Sequence, residues 1–268
     1  MIKPNPNTAL LVISFGTSHS KARRKAIEGC EKSLADAFPT CKIDRAISSH
    51  HLRKMASNSQ NHAYPSIREA LEDLANQAVK SVLIQPLHII PGYEYEKVRN
   101  AARDFTGHFD RIYVAKPLLT DAEDFNETAM AFLPLHQTLE QDECLVLMGH
   151  GTRHPANQAY ADLEQAFLRQ QMEKVLVATV EGQPKIQHII PELKARGIYK
   201  VILRPLLLVA GEHAHHDMAG RTANSWKSIL EEAGFIVRTE LVGLGELEAI
   251  REIYIRHAHA GLEALQSG

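Results

Sequence analysis

Leu145-Val146-Leu147-Met148-Gly149-His150-Gly151-Thr152 decides the fold, because an apolar run ends there in a histidine between two glycines. Such a run is typical of a strand that is buried on both faces of a sheet. A helical pattern starts near residue 156, so the chain passes from strand through a tight turn to helix. Open α/β sheets form their ligand sites at turns of this kind, which makes His150 the first candidate functional residue.

Short apolar runs alternate with amphipathic stretches along the whole chain, which predicts parallel strands connected by helices. The predicted strands are 9–14, 42–47, 81–85, 111–116, 144–148, 175–180, 200–204 and 235–240. The predicted helices are 19–37, 65–78, 92–105, 123–139, 156–171, 184–196, 213–233 and 246–265.

The two halves of the chain are an internal repeat. Residues 8–19 align with 143–154 at an offset of 135 and share Gly-Thr-x-His, which pairs Phe15 with His150. A second alignment, at an offset of 119, pairs Val82 to Leu87 with Val201 to Leu206 and carries on to pair Glu94 with His213.

The repeat predicts an α/β fold of two similar lobes, each a four-stranded parallel sheet flanked by helices. We expect the boundary near Gln141-Asp142, which gives an N-terminal lobe of residues 1–141 and a C-terminal lobe of residues 142–268. A cleft between such lobes, lined by the carboxyl ends of strands, is the expected ligand site.

Composition narrows the class of protein. A chain of 268 residues with 44% hydrophobic content can bury a large core, and a net charge of −2 gives no general attraction to nucleic acid or anionic membranes. The start has no signal-peptide pattern and no segment reaches about 18 apolar residues, so we expect a cytoplasmic protein without a membrane partner. The three cysteines are widely spaced and are expected to be reduced thiols.

Three potential metal ligands follow strands of the second lobe: His150, Glu181 and His213. Two imidazoles and a carboxylate suit first-row divalent metals and leave coordination positions for an incoming ligand. The alternative is that each histidine caps a helix or satisfies a backbone carbonyl, as we expect for His19 and His154.

Further polar groups lie near the ends of the predicted strands. In Glu212-His213-Ala214-His215-His216-Asp217, the aspartate can orient a histidine ring, while an exposed helix start would equally explain His215 and His216. His88 follows a first-lobe strand, either near the cleft or as a hydrogen-bonded, partly buried ring. His257 and His259 are expected on a solvated face of the last helix. The chain has no nucleotide-binding motif and no Gly-x-Ser-x-Gly elbow.

Taken together, these motifs closely resemble the anaerobic sirohydrochlorin cobaltochelatases, the CbiK family of class II chelatases. The resemblance covers nearly the whole chain. The motifs that carry it are Ser14-Phe15-Gly16-Thr17, Leu87-His88-Ile89-Ile90-x-Gly92-x-Glu94-Tyr95-Glu96-Lys97, Met148-Gly149-His150-Gly151, Val180-Glu181 and Leu208-Val209-Ala210-Gly211-x-His213-Ala214-x-x-Asp217-Met218.

The resemblance implies ATP-independent insertion of Co²⁺ into sirohydrochlorin on the anaerobic route to vitamin B12. It implies that His150, Glu181 and His213 are the cobalt ligands and that His150, His213 and Glu94 are catalytic. Phe15 offers an apolar face to the tetrapyrrole, with a core position as the alternative. The other candidate tetrapyrrole contacts are Gly16, His88 and Gly92, and the candidate cations for its carboxylates are Arg53, Lys54 and Arg153.

Two other functions stay open. The same site can act as a sirohydrochlorin ferrochelatase, because Co²⁺ and Fe²⁺ are neighbours in the affinity order of divalent metals. A non-catalytic tetrapyrrole or metal carrier is the second. The resemblance also implies a homo-oligomer; haem, which some periplasmic members bind, is not expected here, and neither is a nucleotide cofactor.

Overall fold

Two four-stranded parallel sheets form the framework of the protein in a computed structural model that describes residues 7–58 and 64–267. The predicted α/β fold class, with a four-stranded parallel sheet flanked by helices in each half of the chain, is therefore confirmed. The strands are β1 Thr8–Ser14, β2 Lys42–Ile47, β3 Ser81–Pro86, β4 Arg111–Val114, β5 Glu143–Gly149, β6 Val175–Thr179, β7 Lys200–Pro205 and β8 Ile236–Thr239.

Helices cover both faces of each sheet, so that β1 is buried along its whole length. The helices are α1 Ser20–Ala37, α2 His50–Asn58, α3 Ile67–Asn76, α4 Tyr93–Asp104, α5 Ala122–Met130, α6 Leu133–His136, α7 Gln158–Arg169, α8 Ile186–Ala195, α9 Trp226–Glu232 and α10 Glu248–Ser267. Two short 3₁₀ turns, Pro155–Asn157 and Leu244–Glu246, and one π-helical turn, Ala214–Met218, complete the described elements.

The structure differs from the predicted helices at three places. The pattern over 123–139 breaks into α5 and α6 because Pro134, which has no N–H to donate, starts a new helix. The pattern over 213–233 holds only the π-helical turn and α9. Gly220 packs against the His216 carbonyl, and Ser225 caps α9 by accepting a hydrogen bond from the Ser228 N–H at 3.2 Å. Helix α2 was not predicted.

The strand order shows the repeat directly. One sheet has the order β2-β1-β3-β4 and the other has β6-β5-β7-β8. The register agrees residue by residue, since Thr8 lies beside Ser81 in the first sheet and Glu143 lies beside Lys200 in the second. Glu143 follows Thr8 by 135 residues and Lys200 follows Ser81 by 119 residues, which are the offsets of the two sequence alignments. The aligned positions are therefore structurally equivalent.

The packing units differ from the predicted lobes of residues 1–141 and 142–268. One unit contains residues 1–118 and 251–268, which we call unit 1, and the other contains residues 119–250, which we call unit 2. Each sheet still lies within its predicted half, because β1–β4 precede residue 118 and β5–β8 lie between 143 and 239.

Side-chain packing explains why residues 119–141 belong to unit 2 and why residues 251–268 belong to unit 1. The segment before residue 141 packs into unit 2, where the Phe132 ring contacts the Phe167 ring with centroids 5.8 Å apart. The last helix, α10, packs into unit 1: Tyr254 is fully buried and its hydroxyl donates to the Leu87 carbonyl at 3.2 Å. His257 is buried on the same helix, so the solvated face expected for it was wrong.

The cysteines agree with the expectation of reduced thiols. Cys30 and Cys144 are buried thiols that form no disulfide, and burial raises the pKa of each to about 12, so both are protonated at neutral pH. In the described part of the chain, none of the helices combines the length and the apolar character needed to span a membrane.

Candidate active site

His150 follows β5 directly and sits in a turn that two glycines make possible. A Cβ at Gly149 would lie 2.3 Å from Cε1 of Tyr160, and one at Gly151 would lie 2.2 Å from the backbone nitrogen of Gly182. Gly151 also has a φ of +77°, which side chains disfavour. The backbone can therefore turn sharply here and pass close to the segment after β6.

The ring of His150 has a defined tautomer. Its Nδ1 lies 2.8 Å from the Gly151 carbonyl oxygen. Because a carbonyl only accepts, Nδ1 carries the proton and a neutral ring keeps its lone pair on Nε2. The side chain is 43% exposed, so solvent and solutes reach it.

A carboxylate holds the His213 ring in the same tautomer as that of His150. It stands just before the π-helical turn, and its Nδ1 lies 2.5 Å from Oδ2 of Asp217. An ionised carboxylate accepts, so Nδ1 donates and Nε2 again keeps the lone pair. This is the orienting role expected for Asp217, and hydrogen bonding to a carboxylate is the usual way to fix a metal-binding histidine. Single π-helical turns occur often at functional sites.

The two rings meet edge to face, with centroids 4.9 Å apart and planes at 85°. His150 directly follows β5, and His213 lies in the segment after β7, the strand that pairs with β5. The structure thus brings together the two histidines that the strand pattern singled out, although 63 residues separate them in the chain.

The backbone of Glu181 contacts His150, but its carboxylate lies apart from the two rings. Its backbone N–H donates to the His150 carbonyl at 2.7 Å, which fixes the residue beside the histidine. Its side chain is 62% exposed, and Oε2 lies 4.0 Å from Nδ1 of His150. Across residues 7–58 and 64–267, no group of three or more His, Cys, Asp or Glu side chains is arranged to hold a metal ion. Rotation of the exposed Glu181 side chain would be needed for it to join the two rings.

Unit 1 repeats the turn with different side chains. Gly16 has a φ of +95°, as its counterpart Gly151 has +77°. The Thr17 hydroxyl accepts from the His19 N–H at 3.2 Å, and the Thr152 hydroxyl accepts from the His154 N–H at 3.1 Å. Phe15, in the position of His150, is 48% exposed. The alternative of a core position for Phe15 is therefore wrong, because its aromatic ring is exposed.

Glu94 takes the position of His213, in the first turn of α4 after Gly92, which is the N-cap residue. Its Oε2 accepts from the Ser48 hydroxyl at 3.0 Å, and its Oε1 accepts from Nζ of Lys97. Carboxylates are stabilised at helix N-termini by the backbone N–H groups and the helix dipole. Glu94 is thus held through both oxygens.

His88 lies behind this carboxylate and is 8% exposed. Burial lowers the pKa of its ring to about 4, against the opposing effect of the nearby Glu94 charge. His88 is therefore a neutral buried ring at pH 7. Of the two possibilities that the sequence left open, the buried ring is the one observed.

The buried ring of His88 predicts a loss of stability in mild acid. Its ordinary pKa is 6.5, so below that value the unfolded chain takes up a proton that the folded chain refuses until about pH 4. The unfolded state binds more protons in this window, so the free energy of unfolding falls as the pH decreases. From the two pKa values, the loss is about 2 kcal/mol at pH 5.

Urea unfolding at pH 7 and pH 5 measures this loss. We expect the wild-type protein to lose about 2 kcal/mol more between the two pH values than His88→Gln does. His88→Leu is the matched control: it also lacks a titratable ring, so its pH dependence should equal that of His88→Gln whatever its stability at pH 7. Equal pH dependence in the wild type and both variants would contradict the buried neutral ring.

Three of the remaining polar candidates, His154, His216 and Arg53, have structural contacts. His154 caps the 3₁₀ turn that follows it, because its Nδ1 accepts from the Ala156 N–H at 3.0 Å. His216 is 70% exposed and pairs with Glu212 at 3.0 Å, as expected of an exposed helix start. Arg53 lies 3.4 Å from Glu69.

Two residues that support candidate segments, one in each unit, were not singled out by the sequence. The Asn157 side chain accepts from the Thr152 N–H and donates to the Gln183 carbonyl, both at 3.0 Å, and so connects the turns after β5 and β6. Ser48 follows β2 and binds Glu94. Its position after a strand was the available signal, but a lone serine there has no distinctive pattern.

The family model described as cobalt chelatase (CbiK) matches residues 8–263. The sirohydrochlorin cobaltochelatase of Salmonella typhimurium is 37% identical over 254 residues, which are 95% of this chain and 96% of that protein. The sirohydrochlorin cobaltochelatase CbiKC of Nitratidesulfovibrio vulgaris is 33% identical over 267 residues, which are 98% of this chain and 93% of that protein.

Solved structures of chelatases share the fold at low sequence identity. SirB from Bacillus subtilis with Fe³⁺ matches with a TM-score of 0.66 and 15% identity, over 97% of each chain. CbiX, described as the terminal enzyme of sirohaem biosynthesis in denitrifying bacteria, matches with a TM-score of 0.55 and 18% identity, over 94% of this chain and 98% of that one. At such identities the likeness concerns the fold.

Proposed function

Because the chain belongs to the cobalt chelatase (CbiK) family, we propose that it inserts Co²⁺ into sirohydrochlorin without ATP, giving cobalt-sirohydrochlorin for anaerobic cobalamin synthesis. The observation that carries the proposal is the pair of rings, His150 and His213, in a chain that matches two sirohydrochlorin cobaltochelatases over nearly its full length. Both rings offer Nε2 as a ligand atom or as a base.

The first task of such an enzyme is to hold the substrate ion weakly enough to release it. Neutral imidazole is a good ligand for Co²⁺, and a two-histidine site leaves positions for water and for the incoming pyrrole nitrogens. We assign the ion to Nε2 of His150 and Nε2 of His213. Glu181 adds a negative charge once its exposed side chain turns toward the ion.

The second task is to remove two pyrrole protons. As each metal–nitrogen bond forms, a pyrrole N–H bond breaks and its electron pair stays on nitrogen. A histidine that has released the metal has a lone pair on Nε2 with which to accept such a proton. Glu94 is the second proposed base, since an ionised carboxylate in the first turn of α4 can take up one proton and pass it to solvent.

Phe15 is the proposed contact for the macrocycle itself. Its exposed ring can stack on a flat apolar surface and exclude water from it. Gly16 and Gly92 are proposed as close backbone contacts, because neither has a Cβ. Homo-oligomerisation and the lack of haem and of a nucleotide stay predictions from the sequence.

Anaerobic incubation of the protein with sirohydrochlorin and Co²⁺, followed by absorbance, tests the proposal. We expect catalytic turnover with Co²⁺, and parallel reactions with Fe²⁺ and Ni²⁺ rank the metals. A higher kcat/KM for Fe²⁺ would identify a ferrochelatase instead. Stoichiometric binding of the tetrapyrrole without product would identify a carrier.

A further inference from the structure

A chain of three side chains extends inward from Glu94 in unit 1. Oε2 of Glu94 lies 3.0 Å from the Ser48 hydroxyl, and that hydroxyl lies 3.4 Å from Nε2 of His88. The solvent exposure falls from Glu94 to His88, since the Glu94 side chain is 30% exposed and His88 is 8% exposed. The carboxylate is thus connected to a buried neutral ring through one serine.

The backbone fixes the two inner members. The Ser48 N–H donates to the Ser14 carbonyl at 2.9 Å, which holds the end of β2 against the end of β1. The His88 carbonyl accepts from the Leu118 N–H at 2.9 Å and from the Tyr254 hydroxyl at 3.3 Å. Both side chains therefore start from rigid positions.

The chemistry of the groups sets the direction of hydrogen bonding. An ionised Glu94 only accepts, so the Ser48 hydroxyl donates to it and has its oxygen lone pairs available for the Nε2–H of His88. Nδ1 of His88 then holds a lone pair, and no partner for that atom occurs in the described part of the chain. The opposite tautomer would bury an unpaired N–H, and orphaned buried N–H groups are rarer than under-satisfied acceptors.

The repeat provides an internal comparison. The residue after β6 is Val180, whose N–H donates to the Gly149 carbonyl at 3.0 Å as that of Ser48 does to Ser14. The counterpart of His88, at the offset of 119, is Leu207. Val180 and Leu207 both pack against the apolar core of unit 2. The fold accepts apolar side chains at both positions, and only the unit that carries Glu94 has a polar pair there.

We propose that Ser48 and His88 are positioning residues that hold Oε2 of Glu94, so that Oε1 takes the proton. This inference rests on the proposed function. In the step concerned, a pyrrole N–H bond breaks, an O–H bond forms at Oε1 of Glu94, and the electron pair stays on nitrogen for the metal. Lys97, the partner of Oε1, is 60% exposed and can move into solvent when the proton arrives.

Kinetics of cobalt insertion test the assignment. We expect Ser48→Ala and His88→Leu to lower kcat by about 10-fold or more, as is usual when a supporting partner of a site residue is lost, with KM for both substrates within about twofold. Ser48→Thr keeps the hydroxyl, and His88→Gln keeps an N–H donor near the place of Nε2, so both should retain kcat within about threefold. Ser81→Ala, at the opposite end of β3, is the control and should match the wild type.

A measurement without substrate separates this inference from the proposed function. Proton–nitrogen correlation spectra of the wild-type protein at pH 7 should show His88 as the neutral Nε2–H tautomer. A protein that inserts no Co²⁺ but shows this tautomer refutes the function and keeps the hydrogen-bond assignment. The Nδ1–H tautomer, or an unchanged kcat in Ser48→Ala, overturns the inference. If His88→Leu does not fold, the contrast between Ser48→Ala and Ser48→Thr decides.

Discussion

Replacing His150 with alanine is expected to lower kcat/KM for cobalt insertion by at least about 10³-fold. The change removes a metal ligand and a proton acceptor together, and general acid–base catalysis alone contributes about 10²–10⁴-fold. The fold should persist, because the side chain is 43% exposed and lies at a strand end. We expect the free energy of unfolding to change by less than about 1 kcal/mol.

Absorbance assays under anaerobic conditions and urea unfolding measure the two effects of His150→Ala. His136→Ala, at the end of α6 in the same unit, is the matched control and should keep the wild-type rate. Turnover of His150→Ala within about threefold of the wild type would remove His150 from the mechanism.

The Gly151→Ala substitution is expected to lower the free energy of unfolding by about 3 kcal/mol or more, which is a larger loss than we expect for His150→Ala or Gly197→Ala. Alanine at a φ of +77° is strained by about 1–2 kcal/mol. Its Cβ would also lie 2.2 Å from N and 2.7 Å from Cα of Gly182. These are backbone atoms, so the turns after β5 and β6 must separate. Because Glu181 precedes Gly182, that separation should lower activity as well.

The Gly197→Ala variant isolates the cost of strain alone. Gly197 has a similar φ of +68°, and no described atom lies within 4 Å of the place of its Cβ. We therefore expect a loss of about 1 kcal/mol, measured by the same urea titrations. Equal losses in the two variants would show that the contact with Gly182 is not tight.

The sheets could be predicted closely because two signals agree on them. Buried parallel strands read as continuous apolar runs, and each predicted run overlaps one observed strand. The repeat adds register, because a strand pairing in one sheet must recur at the matching offsets in the other. The broken helices were harder, since their ends depend on Pro134 and on packing at Gly220 rather than on periodicity.

The candidate site could be predicted in part. The strand-end rule finds His150 and His213, because neighbouring strands bring their ends together. It does not give the proton positions, which depend on the Gly151 carbonyl and on Asp217. Nor does it find Ser48, whose relevance comes from an interaction with Glu94 across 46 residues of chain. Such pairings depend on side-chain directions that the apolar pattern does not encode.

Because α10 packs into unit 1, this unit receives its last residues only at the end of translation. Unit 2 is inserted within unit 1, so all of residues 119–250 are synthesised before unit 1 receives its last segment, 251–268. During translation, unit 2 has its complete sequence first, while unit 1 still lacks Tyr254 and the rest of that helix. A ribosome that stops at residue 250 therefore releases a chain with one complete unit and one unfinished unit, and the unfinished one carries Phe15, His88 and Glu94.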